Sequence, residues 1–194
     1  MEFYARFEKI DGHIFRFDTR IYLGTFVQGL QSICVGAIVG KNPGSAIPKK
    51  LDELYRLDLN GDKMLPFVGN RFSEGFQRAG KSSPVNAFVR VWNLFYICNP
   101  DLSAALKVVS SLNNMPVCRT ESELIPLVWY GWGGDDSSLN LFKNRFIQRK
   151  QRHDFFYDHR AKTVMNNIPK VNDFAKHTQG MPAEPVVGHL ATIL

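Results

Sequence analysis

Three cysteines in 194 residues, none in a Cys-x-x-Cys pair, leave this chain without the material for a disulfide framework or a four-thiolate metal site. An iron–sulfur cluster held by four cysteines of one chain is excluded for the same reason. Cys34 and Cys98 fall within apolar runs and read as buried thiols, which fits a reducing, cytoplasmic setting. No stretch approaches the roughly 20 apolar residues of a membrane span, so no membrane association is expected. Residues 1–20 alternate charged and aromatic side chains and lack the apolar centre of a signal peptide. The chain has no internal repeat and no low-complexity segment. It also lacks a Walker motif, a dinucleotide fingerprint and a Gly-x-Ser-x-Gly elbow. His153 and His159 do not have the i, i+4 spacing of helical metal ligands, so no metal and no cofactor are expected.

What is present is an ordinary globular composition. Apolar residues make up 44% and charged residues 22%, and phenylalanine alone contributes 15 positions. That much apolar material supports one packed core, and residues 1–194 read as a single domain. The net charge of +6 and the pI near 9.3 favour a polyanionic partner, although solubility alone also accounts for them.

The apolar pattern predicts an α/β fold. Phe3, Ala5 and Phe7, then Ile14, Phe15 and Phe17, read as two strands joined at Asp11-Gly12. This hairpin is expected to cover one sheet edge. Residues 32–40, 85–97 and 124–132 are apolar runs of the kind buried on both faces of a parallel sheet. Between them, residues 47–57 read as a short helix, Asn60-Gly61-Asp62 as a turn, and residues 70–80 as a helix stopped at Gly80. Helices are expected at 102–112 and, as one long element, at 137–152, where Leu139, Phe142 and Phe146 are the apolar positions. Asp135-Asp136 reads as its N-terminal signal. From Asp173 onward, glycines and prolines predict a loop with at most one short strand. The expectation is a three-layer αβα sandwich with a mainly parallel central sheet and an N-terminal hairpin. Ligands of such folds bind beyond the carboxyl ends of the strands, so the loops after Gly40, Leu94 and Gly131 should converge.

The loop Gly40-Lys41-Asn42-Pro43-Gly44-Ser45 carries the most chemical information. Proline and glycine fix a tight turn after a buried strand, and the turn holds the Asn42 carboxamide at the rim. A fixed carboxamide orients water but is no strong base. It therefore suits a reaction whose transition state is already positively charged. The alternative is a strand-ending turn in which Asn42 bonds its own backbone. Lys41 reads as a phosphate contact or a solvated side chain.

Val39-Gly40-Lys41-Asn42-Pro43-Gly44 resembles the Gly-x-Asn-Pro-Gly first motif of the mismatch-specific uracil/thymine-DNA glycosylases, within the uracil-DNA glycosylase superfamily. Asn70-Arg71-Phe72, followed by Ala79-Gly80, is similar to that family's next helix, and Asn93 falls where the superfamily reads the target base. The resemblance implies that Asn42 positions the attacking water, Phe72 stacks on a flipped base and Asn93 recognises the base edge. Gly40, Lys41, Pro43, Gly44 and Asn70 would complete the substrate site. The superfamily's second motif, a His/Asn-Pro-Ser loop, is absent as such. His177, followed by Gly180 and Pro182, takes the corresponding chain position and is the second candidate catalytic residue. The segment between Gly44 and Asn70 is longer than in the glycosylases and predicts a pocket enlarged for a bulky modified base. A second likeness, to an uncharacterised bacterial domain family, rests on Asn42-Pro43-Gly44, Val91-Trp92-Asn93-Leu94-Phe95, Trp132-Gly133 and Thr178 to Pro185. It implies the same fold and site, and no reaction.

Residues 143–162 interleave cations with aromatics. Lys143, Arg145, Arg149, Lys150 and Arg152 are the candidate DNA contacts, with a solvated helix face as the alternative. By the same token Asn93 could be a satisfied strand-end amide and Phe72 a core residue. The function expected from these features is a monofunctional DNA glycosylase, acting as a monomer on a damaged, mismatched or modified pyrimidine in duplex or single-stranded DNA. Repair and defence against phage DNA with modified bases are both open. The rival readings are a non-catalytic nucleic-acid or nucleotide-binding module and an enzyme acting on a small nucleoside or nucleotide.

Overall fold

The computed structural model describes every residue except Ser45 and Asn60. Strands β1 (Glu2–Ile10) and β2 (His13–Tyr22) form the expected hairpin. Asp11 and Gly12 both take positive φ, 50° and 81°, as a tight turn matched to strand twist requires. The first apolar run forms β3 (Ile33–Gly40). The segment expected as a helix over 47–57 instead carries a short strand, β4 (Leu54–Arg56), which pairs with β1. The turn expected at 60–62 includes Asn60, which lies outside the described residues.

Helix α1 (Met64–Arg78) starts six residues before the expected helix. Pro66 is tolerated because it occupies the first turn, where no intrahelical N–H bond is needed. Gly80 ends it at φ 69°. Strand β5 (Ala87–Asn93) follows, then α2 (Leu102–Ser111), whose Asp101 side chain accepts the Ala104 N–H at 3.0 Å. Strand β6 is Leu127–Tyr130. The long helix expected at 137–152 is shorter: a 3₁₀ turn at Ser137–Leu139 leads into α3 (Asn140–Ile147). Residues His153–Asp158 form another strand, β7, followed by β8 (Thr163–Met165). The tail expected as loop ends in α4 (Ala183–Ile193), with Pro185 in its first turn.

These strands make one sheet in the order β4-β1-β2-β5-β3-β6-β7-β8. Only its centre is parallel: β5–β3, β3–β6 and β6–β7. The flanking pairs β4–β1, β1–β2, β2–β5 and β7–β8 are antiparallel. The sheet is therefore mixed, and the mainly parallel sheet expected from sequence is corrected. The hairpin does not cap an edge but extends the sheet, since β2 pairs with β5.

Alternating side chains build a core on each face. Ala37, Val39, Trp92, Val128, Tyr130 and Phe156 pack with Ala105 and Val109 of α2 and Phe142 and Phe146 of α3. Ile38, Val89, Val91, Trp129 and Phe155 pack with Leu65, Val68, Phe72 and Phe76 of α1 and Val186 and Leu190 of α4. Helices α1 and α4 come close because Gly75 has no side chain; a Cβ there would stand 2.8 Å from the Leu190 Cβ. The result is an αβα sandwich. No described helix is long and apolar enough to cross a membrane.

Candidate functional site at the strand-order reversal

From β3 the chain passes through α1 to β5 on one side. It then returns through α2 to β6 on the other side of β3. The connections therefore diverge between the adjacent strands β3 and β6. The carboxyl ends of strands that part in this way leave a crevice, which is where open α/β sheets bind ligands. Here β3 runs into Lys41 and Asn42, and β6 into Gly131-Trp132-Gly133-Gly134. A pocket of about 410 Å³ opens at this point, within the range of small-molecule sites. Its walls are Lys41 and Asn42, Gly133 and Gly134, and Phe174, Lys176, His177 and Gln179.

Backbone bonds hold these loops together. Gly131 N–H donates to Val39 O at 2.9 Å, and Gly133 N–H to Ala175 O at 2.7 Å. Lys176 N–H donates to Tyr157 O at 3.0 Å, which anchors the segment against the end of β7. Gly133 has φ 74°, and a Cβ there would sit 3.3 Å from the His177 Cβ. The tryptophan–glycine turn thus leaves room for the imidazole.

The Asn42 Nδ2 donates to Asn99 O at 2.8 Å, a backbone atom from the loop after β5. Among the described residues the carboxamide bonds Asn99 and not its own turn. This bond uses the amide nitrogen and leaves Oδ1 as an acceptor. Pro43 is buried beneath the loop and Gly44 turns it at φ 65°.

The His177 Nδ1 accepts the Gln179 N–H at 3.2 Å. That bond needs the Nδ1 lone pair, so the proton of the neutral ring is assigned to Nε2. Burial lowers the His177 pKa, and Lys41 and Lys176 push it further down against the opposing pull of Asp62. The residue is therefore a neutral donor at physiological pH.

Asn93 closes β5 opposite Gly40 of β3. It is 0% exposed, and among the described residues neither its Nδ2 nor its Oδ1 has a hydrogen-bond partner. A buried carboxamide left unpaired costs about 1–3 kcal/mol, which native structures rarely bear without a reason. A Cβ on Gly40 would stand 3.0 Å from this Oδ1 and 3.4 Å from the Met64 Cε, so the glycine makes the space.

Other expected site residues lie elsewhere. Phe72 is 0% exposed and packs over the middle of β3, near Gly36, rather than at the rim. Asn70 is exposed on the outer face of α1. The helix resembling the Asn-Arg-Phe motif therefore brings neither residue to the pocket. The stacking position expected of Phe72 is corrected to a core position. The long segment after Gly44 sends β4 to the outer sheet edge, and none of its described residues lines the pocket, although Asp62 at its end acts on His177.

The basic strip is not assembled. Lys143 is 0% exposed, and its Nζ donates to Val171 O at 3.0 Å and Asp136 O at 3.2 Å. Arg145 pairs with the buried Glu121 at 2.8 Å and donates to Leu94 O at 2.9 Å. Arg149 donates to Glu121 O. These three side chains fasten α3 and its flanking loops to the rest of the fold. Lys150 and Arg152 are exposed, but at the start of β7, on the opposite rim. There they line a second pocket, also of about 410 Å³. We favour the first pocket because it lies at the strand-order reversal; Asn93 does not line it, but pairs in register with Gly40, the residue before the wall residue Lys41.

Phe174 and Lys176 were not anticipated. They follow Asp173 in a segment with no periodic pattern, and backbone bonds to Tyr157, His159 and Gly133 bring them to the pocket. Among the described residues, no group of three His, Cys, Asp or Glu side chains is arranged to hold a metal.

Fold and pocket together define a doubly wound α/β protein with a pocket at its strand-order reversal. Comparison with protein-family models, curated proteins and solved structures found no match in any of the three.

Proposed function

We propose that this protein is a DNA glycosylase that hydrolyses the N-glycosidic bond of a damaged, mismatched or modified pyrimidine and leaves an abasic site. The observation that carries the reading is Asn93, a fully buried carboxamide with both polar atoms unpaired at the end of β5, beside the loop of Asn42. A carboxamide offers one donor and one acceptor side by side, as does a pyrimidine edge. A flipped base supplies the bonds that Asn93 lacks.

The remaining parts have matching roles. Cleavage builds positive charge on the sugar and negative charge on the departing base. The Asn42 Oδ1 accepts a hydrogen bond from the water that attacks C1′, holding it without deprotonating it, while its Nδ2 is tied to Asn99 O. The His177 Nε2–H donates to a carbonyl oxygen of the leaving base. Phe174 supplies an aromatic surface against the ring, in place of Phe72. Lys41 and Lys176 face the DNA phosphates. No cofactor takes part, and the protein acts as a monomer.

The test is a panel of duplex and single-stranded oligonucleotides carrying uracil, mismatched thymine and modified cytosines, treated with alkali to reveal abasic sites. Cleavage that Asn42→Ala abolishes supports the reading. No cleavage of any substrate sinks it.

A second reading, a non-catalytic nucleic-acid or nucleotide-binding module, is favoured by one observation. Lys143 is buried, Arg145 is engaged by Glu121, and Lys150 and Arg152 lie on the far rim, so few cations flank the pocket. Ligand binding without base release, weakly dependent on salt, would select a nucleotide binder.

A further inference from the structure

Arg16 lies on β2, on the α1 side of the sheet, and is 4% exposed. Its backbone N–H bonds Tyr96 O at 2.9 Å, which fixes it beside the loop that follows Asn93. Among the described residues its guanidinium makes no hydrogen bond. The Nε is buried without a partner, and the one carboxylate close by, Asp62, stays 3.9 Å from Nη1. That separation is beyond a hydrogen bond. Buried guanidinium groups are ordinarily held by carboxylates or carbonyls, because an uncompensated buried charge is costly. The contrast within this chain is Arg145, which is less buried and yet engaged by Glu121 and two carbonyls.

Arg16 also belongs to the neighbourhood of Asn93. Asp62 Oδ1 accepts the N–H groups of Met64 at 2.8 Å and Leu65 at 3.2 Å, which ties the Arg16 contact to the start of α1. Met64 in turn packs at Gly40, the register partner of Asn93. Two buried polar side chains without hydrogen bonds thus stand at the same end of the same sheet face. One is neutral and can read a ring edge. The other is a cation that can only donate.

We propose that Arg16 is a catalytic residue of the proposed glycosylase, whose guanidinium donates to the base and stabilises the negative charge it acquires as it leaves. This inference rests on the glycosylase reading. When the C1′–N1 bond breaks, its electron pair stays on N1 and the base departs as an anion. Water adds its oxygen to C1′ and releases a proton, which returns the base to neutrality, so the products are the free base and the abasic sugar. A fixed cation in a site shielded from water acts on that developing charge more strongly than on the neutral substrate. Asp62, 3.9 Å away, makes no hydrogen bond to the guanidinium but offsets part of its charge before the base arrives.

The test compares single-turnover release of the preferred base with release of a ring-fluorinated analogue, which departs as a more stable anion. The variants are Arg16→Gln and Arg16→Lys. Arg16→Gln should slow release of the preferred base by about a hundredfold and of the fluorinated base by less than about tenfold. Should Arg16→Gln fail to fold, Arg16→Lys carries the comparison. It keeps the charge and loses the planar fork, and its smaller loss should again fall mainly on the poorer leaving group. Equal losses on both bases would mean a purely structural role and overturn the proposal, leaving the glycosylase reading intact. A wild-type protein that releases no base overturns both.

Discussion

The Cα of Gly40 lies opposite that of Asn93 across the β3–β5 ladder, and a methyl group on Gly40 would stand 3.0 Å from the Asn93 Oδ1. A missing side chain on one strand thus makes room for a carboxamide on the next. Gly40→Ala should push the Asn93 amide aside by a few tenths of an ångström while the strand backbone remains unstrained. Base release, or ligand affinity, should fall about tenfold with the melting temperature almost unchanged. Thermal melts beside the release assay would separate the two effects, and unchanged activity would remove Asn93 from the site.

Asn93 itself lowers the stability of the ligand-free protein. Its amide has left water without gaining a bond. Asn93→Leu, of similar volume and without polar atoms, should leave the free protein as stable or up to about 1 kcal/mol more so, while abolishing base release. Urea denaturation would measure this. A loss of more than about 1 kcal/mol would show that the amide is bonded in solution.

His177 governs the acidic side of the pH profile. Its pKa is lowered by burial first and by Lys41 next, so it stays neutral to lower pH than a free imidazole at about 6.5. Neutral His177 is the donor, so release should be flat above pH 6.5 and should fall only as pH drops through the depressed value. The sign for stability is the same. Burial also lowers the His189 pKa, and both histidines bind protons more readily unfolded than folded. Their contribution is complete above about pH 6.5 and is lost as pH falls through the folded values. NMR titration of the imidazoles checks this, and a His177 midpoint at or above 6.5 would refute it.

Lys143, Arg145 and Glu121 should affect stability and not DNA affinity. Glu121→Gln leaves Arg145 without its carboxylate in the interior and should cost about 3 kcal/mol. Lys143→Met strands two carbonyls and should cost about 1–3 kcal/mol. Neither should alter the salt dependence of binding. Lys41→Ala and Lys176→Ala should each lower its slope by about 1. A slope change confined to Lys143→Met would restore the basic strip as the DNA surface.

The three central strands were legible because parallel strands covered on both faces are largely apolar: residues 33–40 and 127–130 carry no charge, and 87–93 is broken only by Arg90 before it ends in Asn93. The hairpin was legible because few residues other than glycine and aspartate accept the positive φ of its turn. Strand β7 was not. Its His-Asp-Phe-Phe-Tyr-Asp has polar ends, and the basic residues before it suggested a continuing helix. Helix α4 was missed because its prolines and glycine read as loop signals. Pro182 and Pro185 lie at and just inside its start, where proline is permitted, and Gly188 is carried by packing in the folded chain.

The site divides in the same way. The sequence by itself determined the strand–turn that presents Lys41 and Asn42 and the glycines that follow β6, because Pro and Gly act on the backbone locally. It could not decide which side chains meet. Phe72 and Asn93 both matched the likeness, and both are buried, yet the helical residue lies over mid-strand in the core, whereas the strand-end residue pairs with Gly40, next to the loop of Asn42. The burial of Lys143, the pairing of Arg145 with Glu121, and the isolation of Arg16 and Asn93 depend on contacts between residues far apart in the chain. Only the tertiary structure decided these, because hydrogen-bond satisfaction is a property of the packed interior and has no counterpart in the order of the residues.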